Sequence, residues 1–331
     1  MSPLSAMSPA RKASYVLFGL VIASVVVLRL GPVALAGLFS FMILDLTHRR
    51  LKELMPAAAA RALAVVIFAI VAVVLSWMVA EFVRLTLARA PVIVGNSLPQ
   101  IDRLASDYGI DLPFENLHQI RIATLEAIKE NARSITAESG LLTRGFFQLI
   151  VGIFVAILCF LSDDEPGKER ASFFDALRLE FDARVEIFML GFEKILGAQV
   201  LISFINTGIT AIFLLATGLP YKHFLMMATF LFGVIPIIGN IISNSAIVGT
   251  ALTVSPKLAF VAFCFLVVAH KAQYFLNSRI LGSRINTPMW QILLGLLVGE
   301  AILGLPGMVL APAMLHYLRE ELIAVPYSKA S

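Results

Sequence analysis

The chain is divided into apolar runs that are each close to the length needed to cross a lipid bilayer. A transmembrane helix takes ~20 predominantly apolar residues. Only 15% of the residues are charged, whereas a soluble domain has roughly 25%. The sequence therefore predicts an all-α, polytopic membrane protein with about seven to eight transmembrane segments. The uninterrupted runs are Tyr15–Leu28, Val33–Leu46, Ala62–Ala80, Leu141–Leu161, Ile195–Ala216 and Leu258–Phe275.

Basic residues indicate how these spans are oriented. Lys and Arg concentrate in cytoplasmic loops, and the densest basic loop of the N-terminal part lies between Asp45 and Arg61. We therefore place this loop and both termini in the cytoplasm. The first apolar run lacks a small-residue cleavage pattern, so it is interpreted as a retained span. The net charge of +4 is expected from such loops and does not indicate nucleic acid as a partner.

Changes in composition divide the chain into five parts. A polar, charged stretch separates the third and fourth spans, and we interpret it as an extracytoplasmic helical insert. The insert is either a partner or gate surface or a structural cap. The parts are the N-terminal spans (1–80), the insert (81–140), the fourth span with a cytoplasmic amphipathic helix (141–190), a transport unit (191–322) and a C-terminal tail (323–331).

Several helices are expected beside these spans. The helix of the third span is expected to continue to about Arg89, and the insert to contain amphipathic helices at Ser97–Tyr108 and Phe114–Ala137. A cytoplasmic amphipathic helix is predicted at about Glu165–Met189, with phenylalanines along one stripe and Arg184 off that stripe.

Two later apolar segments, Phe224–Val254 and Met289–Leu318, are broken where a spanning helix should continue. A proline inside a helix removes a backbone hydrogen bond. In lipid, a freed backbone group is tolerated only where protein or a water-filled cavity satisfies it. Each segment can form either a re-entrant helical hairpin or a kinked span. The residues that cause the breaks are Gly233, Pro236, Gly239, Gly304, Pro306 and Gly307.

The two broken segments belong to units of opposite orientation, because the span before the first leads outward and the span before the second leads inward. Inverted repeats with paired discontinuous helices are a recurrent transporter design, in which solute binds at the exposed helix ends. This arrangement favours a transporter over an enzyme. There is no Ser/His pairing at helical spacing, no His-Glu-x-x-His motif and no metal-ligand spacing, so no catalytic residue, metal or cofactor is predicted.

Polar residues near the breaks are candidates for the path of a solute or an ion. Asn240 and Asn244 lie one helical turn apart after the first break, and Glu300 lies just before the second. An acid at membrane depth is costly and by default indicates a functional site; a hydrated position or pairing with a basic residue is the alternative. We expect the two asparagines to approach Glu300 and the Gly304–Gly307 break across a polar cavity.

Further polar candidates lie on the neighbouring spans. Gln199, Ser203, Asn206 and Thr210 step by three or four residues and therefore share one helical face. Such a face either holds helices together or lines a solute path. Gln273 and Lys271, on the last uninterrupted span, complete the set.

These residues resemble the autoinducer-2 exporter family of bacterial inner-membrane proteins. The resemblance covers about Tyr15–Leu322 and is strongest from Leu161 onward. The motifs that carry it are Gly218-Leu-Pro220, Val234-Ile-Pro-Ile-Ile-Gly239, Arg279-Ile-Leu-Gly282 followed by Pro288, and the stretch from Gly304 to Pro312.

The resemblance implies secondary transport by a homo-oligomer whose mobile unit contains the two hairpins. The family's best-known activity is export of the quorum-sensing signal autoinducer-2, and some members resemble sodium/proton antiporters. The chain departs from the family pattern in the polar link, where Ala272 stands at the position of a Glu and Ser278 at that of a Pro. Lys271 is unusual there, and we interpret it as a partner for an anion or for Glu300.

The leading hypothesis is thus a secondary transporter that exports a small polar organic solute, autoinducer-2 being the example that the family offers. The coupling ion would be a proton or sodium. The alternatives are a sodium/proton antiporter and, in another class, a non-transporting scaffold that organises membrane proteins through the polar insert.

Overall fold

The protein is all-helical in the part that the structure describes, which comprises residues 7–107, 109, 122, 126, 139–162, 172–235, 238–280 and 288–324 of a computed structural model. Ten helices and no strand occur in these ranges. They are α1 (Pro9–Val27), α2 (Gly31–Leu51), α3 (Ala57–Asp107), α4 (Ser139–Leu161), α5 (Phe173–Thr217), α6 (Lys222–Gly233), α7 (Ile238–Val254), α8 (Pro256–Ile280), α9 (Met289–Leu303) and α10 (Leu305–Ile323).

Six helices of the described ranges are long and apolar enough to cross a membrane, namely α1, α2, α3, α4, α5 and α8. A shorter apolar helix, Trp290–Leu303, follows within α9. Their side chains are largely exposed apolar groups, as expected for helices that face lipid. The prediction of an all-α polytopic membrane protein is confirmed.

Helix α3 is longer than the sequence indicated. It continues beyond Arg89 to Asp107 with Pro91 and Pro99 inside it, so the separate helix expected from Ser97 is its last part. A proline within a helix costs ~3 kcal/mol. Ile93, which lies between the two prolines, is buried in an apolar cluster with Leu214 and Leu219 and so stabilises this part of the helix. The second expected helix of the insert, Phe114–Ala137, lies outside the described residues except for isolated positions.

Helix α5 joins two predicted elements into one. The amphipathic helix and the span that follows it form a single helix of 45 residues. The predicted stripe was partly wrong, because Phe173 and Phe174 are exposed whereas Arg184 is only 3% exposed. Arg184 is buried because it pairs with Glu180 and its guanidinium lies 4.2 Å from the ring centre of Tyr15.

The chain forms two compact units. The first unit contains Met1–Val71, Arg144–Gly197 and Ile285–Ser331, and the second contains Ala72–Thr143 and Ala198–Arg284. Each unit therefore holds one of the two broken segments: the α6–α7 pair lies in the second unit and the α9–α10 pair in the first.

The α6–α7 pair is a helical hairpin. Phe224 and Leu225, near the start of α6, are buried in the same cluster as Ile247 and Ala251, near the end of α7. The two helices therefore run antiparallel. On α3, Phe82 contacts both Phe224 and Phe232, with ring centres 5.6 Å apart in each case, which places α6 along this part of α3.

The α9–α10 pair is a second antiparallel hairpin, with its reversal at Gly304. Gly304 has φ 65° and ψ −144°, a conformation that favours glycine. Close packing continues along the pair, because a Cβ at Gly295 would lie 2.6 Å from Leu315 and one at Gly299 would overlap the backbone of Gly307. Glycine at these positions lets the two helix backbones touch.

This second hairpin contacts α1 and the start of α2. Near its tip, Pro306 lies against Gly31, the first residue of α2. Near the end of α10, Tyr317 packs on Phe18 of α1 with ring centres 4.8 Å apart, and the Tyr15 hydroxyl donates a 2.7 Å hydrogen bond to Glu321. Since the 19 residues of α10 rise about 28 Å, this hairpin is long rather than a short loop.

Candidate functional site

The end of α6 leaves backbone carbonyl groups that no further helical turn can satisfy. Helix α5 supplies donors for two of them. The Gln199 Nε2 donates to the Gly233 carbonyl oxygen over 2.8 Å, and the Ser203 hydroxyl donates to that of Phe230 over 2.6 Å. A third carbonyl, that of Phe232, accepts from the Ile235 N–H at 2.8 Å. Two side chains of α5 thus cap the break predicted from the sequence.

Glycines allow the chain to turn tightly at this point. A Cβ at Gly239 would overlap the carbonyl oxygen of Phe232, and a Cβ at Gly233 would overlap the Ser203 hydroxyl. Both glycines are therefore required by close approach of the backbone to its neighbours. Pro236, the other residue predicted to cause this break, lies outside the described residues.

Two of the predicted path residues meet where α7 begins. The Asn240 Nδ2 donates to the Gln273 Oε1 of α8 over 3.2 Å. The Asn240 Oδ1 is buried and has no hydrogen-bond partner, and Gln273 is only 8% exposed. A buried amide oxygen without a donor costs free energy, so Asn240 carries an acceptor that no described group satisfies.

The remaining polar residues of the α5 face differ in their surroundings. Asn206 and Thr210 are buried, at 8% and 1% exposure. Ser243, on α7, is buried and donates to the backbone oxygen of Asn240. Asn244 is half-buried. The side chains at this hairpin end are amides and hydroxyls, which can donate to and accept from a neutral polar molecule.

Glu300 is placed differently from these residues. It lies on α9, one turn before Gly304, and its side chain is exposed; its backbone oxygen accepts the Gly304 N–H at 2.7 Å. Lys271 is also exposed. Glu300 belongs to the first unit, whereas Asn240, Asn244 and Lys271 belong to the second. The approach of the asparagines to Glu300 and the pairing of Lys271 with it therefore remain predictions.

The first unit contains one buried polar cluster that was not predicted from the sequence. Glu321 is 7% exposed and its Oε1 has no hydrogen-bond partner, while its Oε2 accepts from Tyr15. The burial of Arg184, which also contacts Tyr15, could have been predicted from its spacing. Arg184 lies three residues after Phe181 and four before Phe188, so it shares their helical face. Within the described ranges, His, Cys, Asp and Glu side chains do not gather in a group that could hold a metal ion.

The spanning helices and two helical hairpins, one of them with a polar, backbone-capped end, define a polytopic membrane protein of the transporter class. The comparison with protein families agrees with this class. The profile described as AI-2E family transporter matches residues 14–325, so the chain belongs to the AI-2E family of transporters. A comparison with curated proteins gave no match.

Proposed function

We propose that this protein is a secondary transporter of the bacterial inner membrane that exports a small polar organic solute. The solute would bind at the polar end of the α6–α7 hairpin. The observation that carries the proposal is the Asn240–Gln273 pair, because one amide oxygen is buried there without a donor. A solute hydroxyl or N–H would donate to this oxygen without breaking a hydrogen bond within the protein.

The chemistry of this hairpin end favours an uncharged, hydroxyl-rich solute. Five path candidates of this unit, Gln199, Asn206, Asn240, Asn244 and Gln273, are neutral amides, and Lys271 is the charged candidate beside them. A site made of amides discriminates by hydrogen bonds, and it rejects molecules that leave its buried polar atoms unpaired. Autoinducer-2, the signal associated with the family, is of this polar class and is the first solute to test.

Flux measurements in liposomes test the proposal. The purified chain would be reconstituted and supplied with a panel of small polar solutes, including autoinducer-2 and charged controls. We expect saturable flux of a neutral polar solute. Replacing Asn240 by Leu should abolish it, because Leu cannot accept a hydrogen bond, whereas Thr207→Val should keep it, since the Thr207 hydroxyl only contacts its own helix.

Coupling to an ion is a separate part of the proposal. Uptake into inside-out vesicles should fall when the proton or the sodium gradient is collapsed. Uptake that survives collapse of both gradients would argue against coupling, although not against transport. Cytoplasmic termini, a homo-oligomeric assembly and a mobile unit that contains the hairpins belong to the same proposal.

A sodium/proton antiporter is the second candidate, and Glu300 favours it. This carboxylate is the only acidic residue between Met289 and Arg319, and an acid within apolar helices is by default a functional hypothesis. The variant Glu300→Gln keeps the shape and removes the charge. Loss of sodium-driven proton movement in this variant would support an antiporter, and unchanged ion exchange would remove Glu300 from the mechanism.

A further inference from the structure

A small cavity opens at the end of the second unit where α6 begins, away from the polar hairpin end. Its volume is about 320 Å³, at the lower limit of ligand pockets. It combines an apolar floor with basic side chains. The lining residues are Leu85, Arg89, Leu219, Pro220, Tyr221, Lys222, His223 and Phe224.

Three basic groups from two elements line this cavity. Arg89 comes from α3, and Lys222 and His223 begin α6. Among the residues that the structure describes, no Asp or Glu belongs to the lining and none of the three basic groups makes an ion pair. Positive charge gathered at an apolar cavity without a carboxylate attracts a small anion.

One residue that lines this cavity has an unusual backbone conformation. Tyr221 has φ 57°, a left-handed conformation that is unfavourable for a non-glycine residue. This conformation carries the Tyr221 ring under Arg89, whose guanidinium carbon lies 4.9 Å from the ring centre. The contact holds the guanidinium at the rim of the cavity, so its hydrogen-bond donors are pre-positioned.

We propose that this cavity binds the anionic group, a carboxylate or a phosphate, of a small amphiphilic ligand. Arg89 and Lys222 contact the anion, and His223 adds a donor. The apolar part of the ligand lies against Leu85, Leu219 and Phe224. The site is separate from the neutral solute site proposed at the other end of the hairpin, and it does not depend on that proposal. The anion comes either from a soluble organic acid or from an anionic lipid headgroup.

Binding measurements on the full chain with two kinds of probe test this inference. In detergent, isothermal titration with hexanoate and with inorganic phosphate follows soluble anions. In nanodiscs, native mass spectrometry compares retained phosphatidylglycerol with phosphatidylcholine. We expect binding in at least one arm, and about tenfold or greater weakening in Arg89→Gln and in Lys222→Gln, because each removes a charged donor.

The matched control is Lys257→Gln, which removes one exposed positive charge of the same unit outside the cavity. It should leave binding within about twofold of the unaltered chain, because the charge it removes is solvent-exposed and screened by salt. Binding of hexanoate or phosphate identifies a soluble ligand, and selective retention of phosphatidylglycerol identifies a lipid. Binding in neither arm, or equal weakening by Lys257→Gln and Arg89→Gln, would overturn the inference.

Discussion

Removal of the Ser203 hydroxyl should destabilise the α6–α7 hairpin, because it leaves the Phe230 carbonyl oxygen without a donor. A buried polar group that loses its partner costs about 1–3 kcal/mol, whereas measured hydrogen bonds between membrane helices reach at most roughly 1.7 kcal/mol. Ser203 is 1% exposed and its bond is 2.6 Å long, so water cannot replace it. We therefore expect Ser203→Ala to lower the free energy of unfolding by about 1.5 kcal/mol.

Gln199→Met should have a smaller effect. Gln199 is half-buried, so its hydrogen bond is less shielded from water than that of Ser203, and about 1 kcal/mol or less is expected. Thr207→Val is the control on the same helix. Its hydroxyl donates to the Ser203 carbonyl oxygen, which already accepts a helical bond, so little stability should be lost.

Equilibrium unfolding in detergent by increasing SDS gives these free energies directly. The predicted order of destabilisation is Ser203→Ala, then Gln199→Met, then Thr207→Val. If Ser203→Ala and Thr207→Val were equally mild, the capping of α6 by α5 would not contribute to stability and the reasoning would be wrong.

Two further predictions concern packing in the first unit, and each is measured by thermal unfolding in detergent. Gly307→Val should lower stability by about 1–3 kcal/mol because its side chain would overlap the Gly299 backbone. The control Gly145→Ala, which has open space around it, should be neutral. Equal effects of the two changes would contradict the close approach of α9 and α10 at Gly299 and Gly307. Tyr15→Phe should cost about 1–2 kcal/mol because the buried Glu321 loses its donor. An unchanged midpoint for Tyr15→Phe would show that the pair is not coupled.

The positions of the two breaks could be predicted from local sequence alone. Gly304 and the glycines that flank Pro236 disrupt helices through their own backbone properties, which act wherever they occur. The spacing of Gln199 and Ser203 likewise showed that they share a face, which is a local helical property. Their actual partners, the carbonyl oxygens of α6, depend on how distant helices pack and could not be read from spacing.

The errors have the same origin. Pro91 and Pro99 normally end a helix, but α3 continues through both to Asp107, and Ile93 between them packs in an apolar cluster of distant residues. Arginine is normally exposed. Arg184 is buried because it pairs with Glu180 of the same helix and lies over the Tyr15 ring of α1. The pairing of Asn240 with Gln273 was similarly beyond prediction, because it joins residues of different helices.

The central claim, a neutral polar solute bound at the end of the α6–α7 hairpin, is tested most directly by flux in liposomes with Asn240 and Gln273 replaced one at a time. We expect saturable flux for the unaltered chain, loss of it in Asn240→Leu and in Gln273→Leu, and normal flux in Thr207→Val. Flux that is unchanged by both replacements would contradict the claim, because the Asn240–Gln273 pair would then lie outside the solute path.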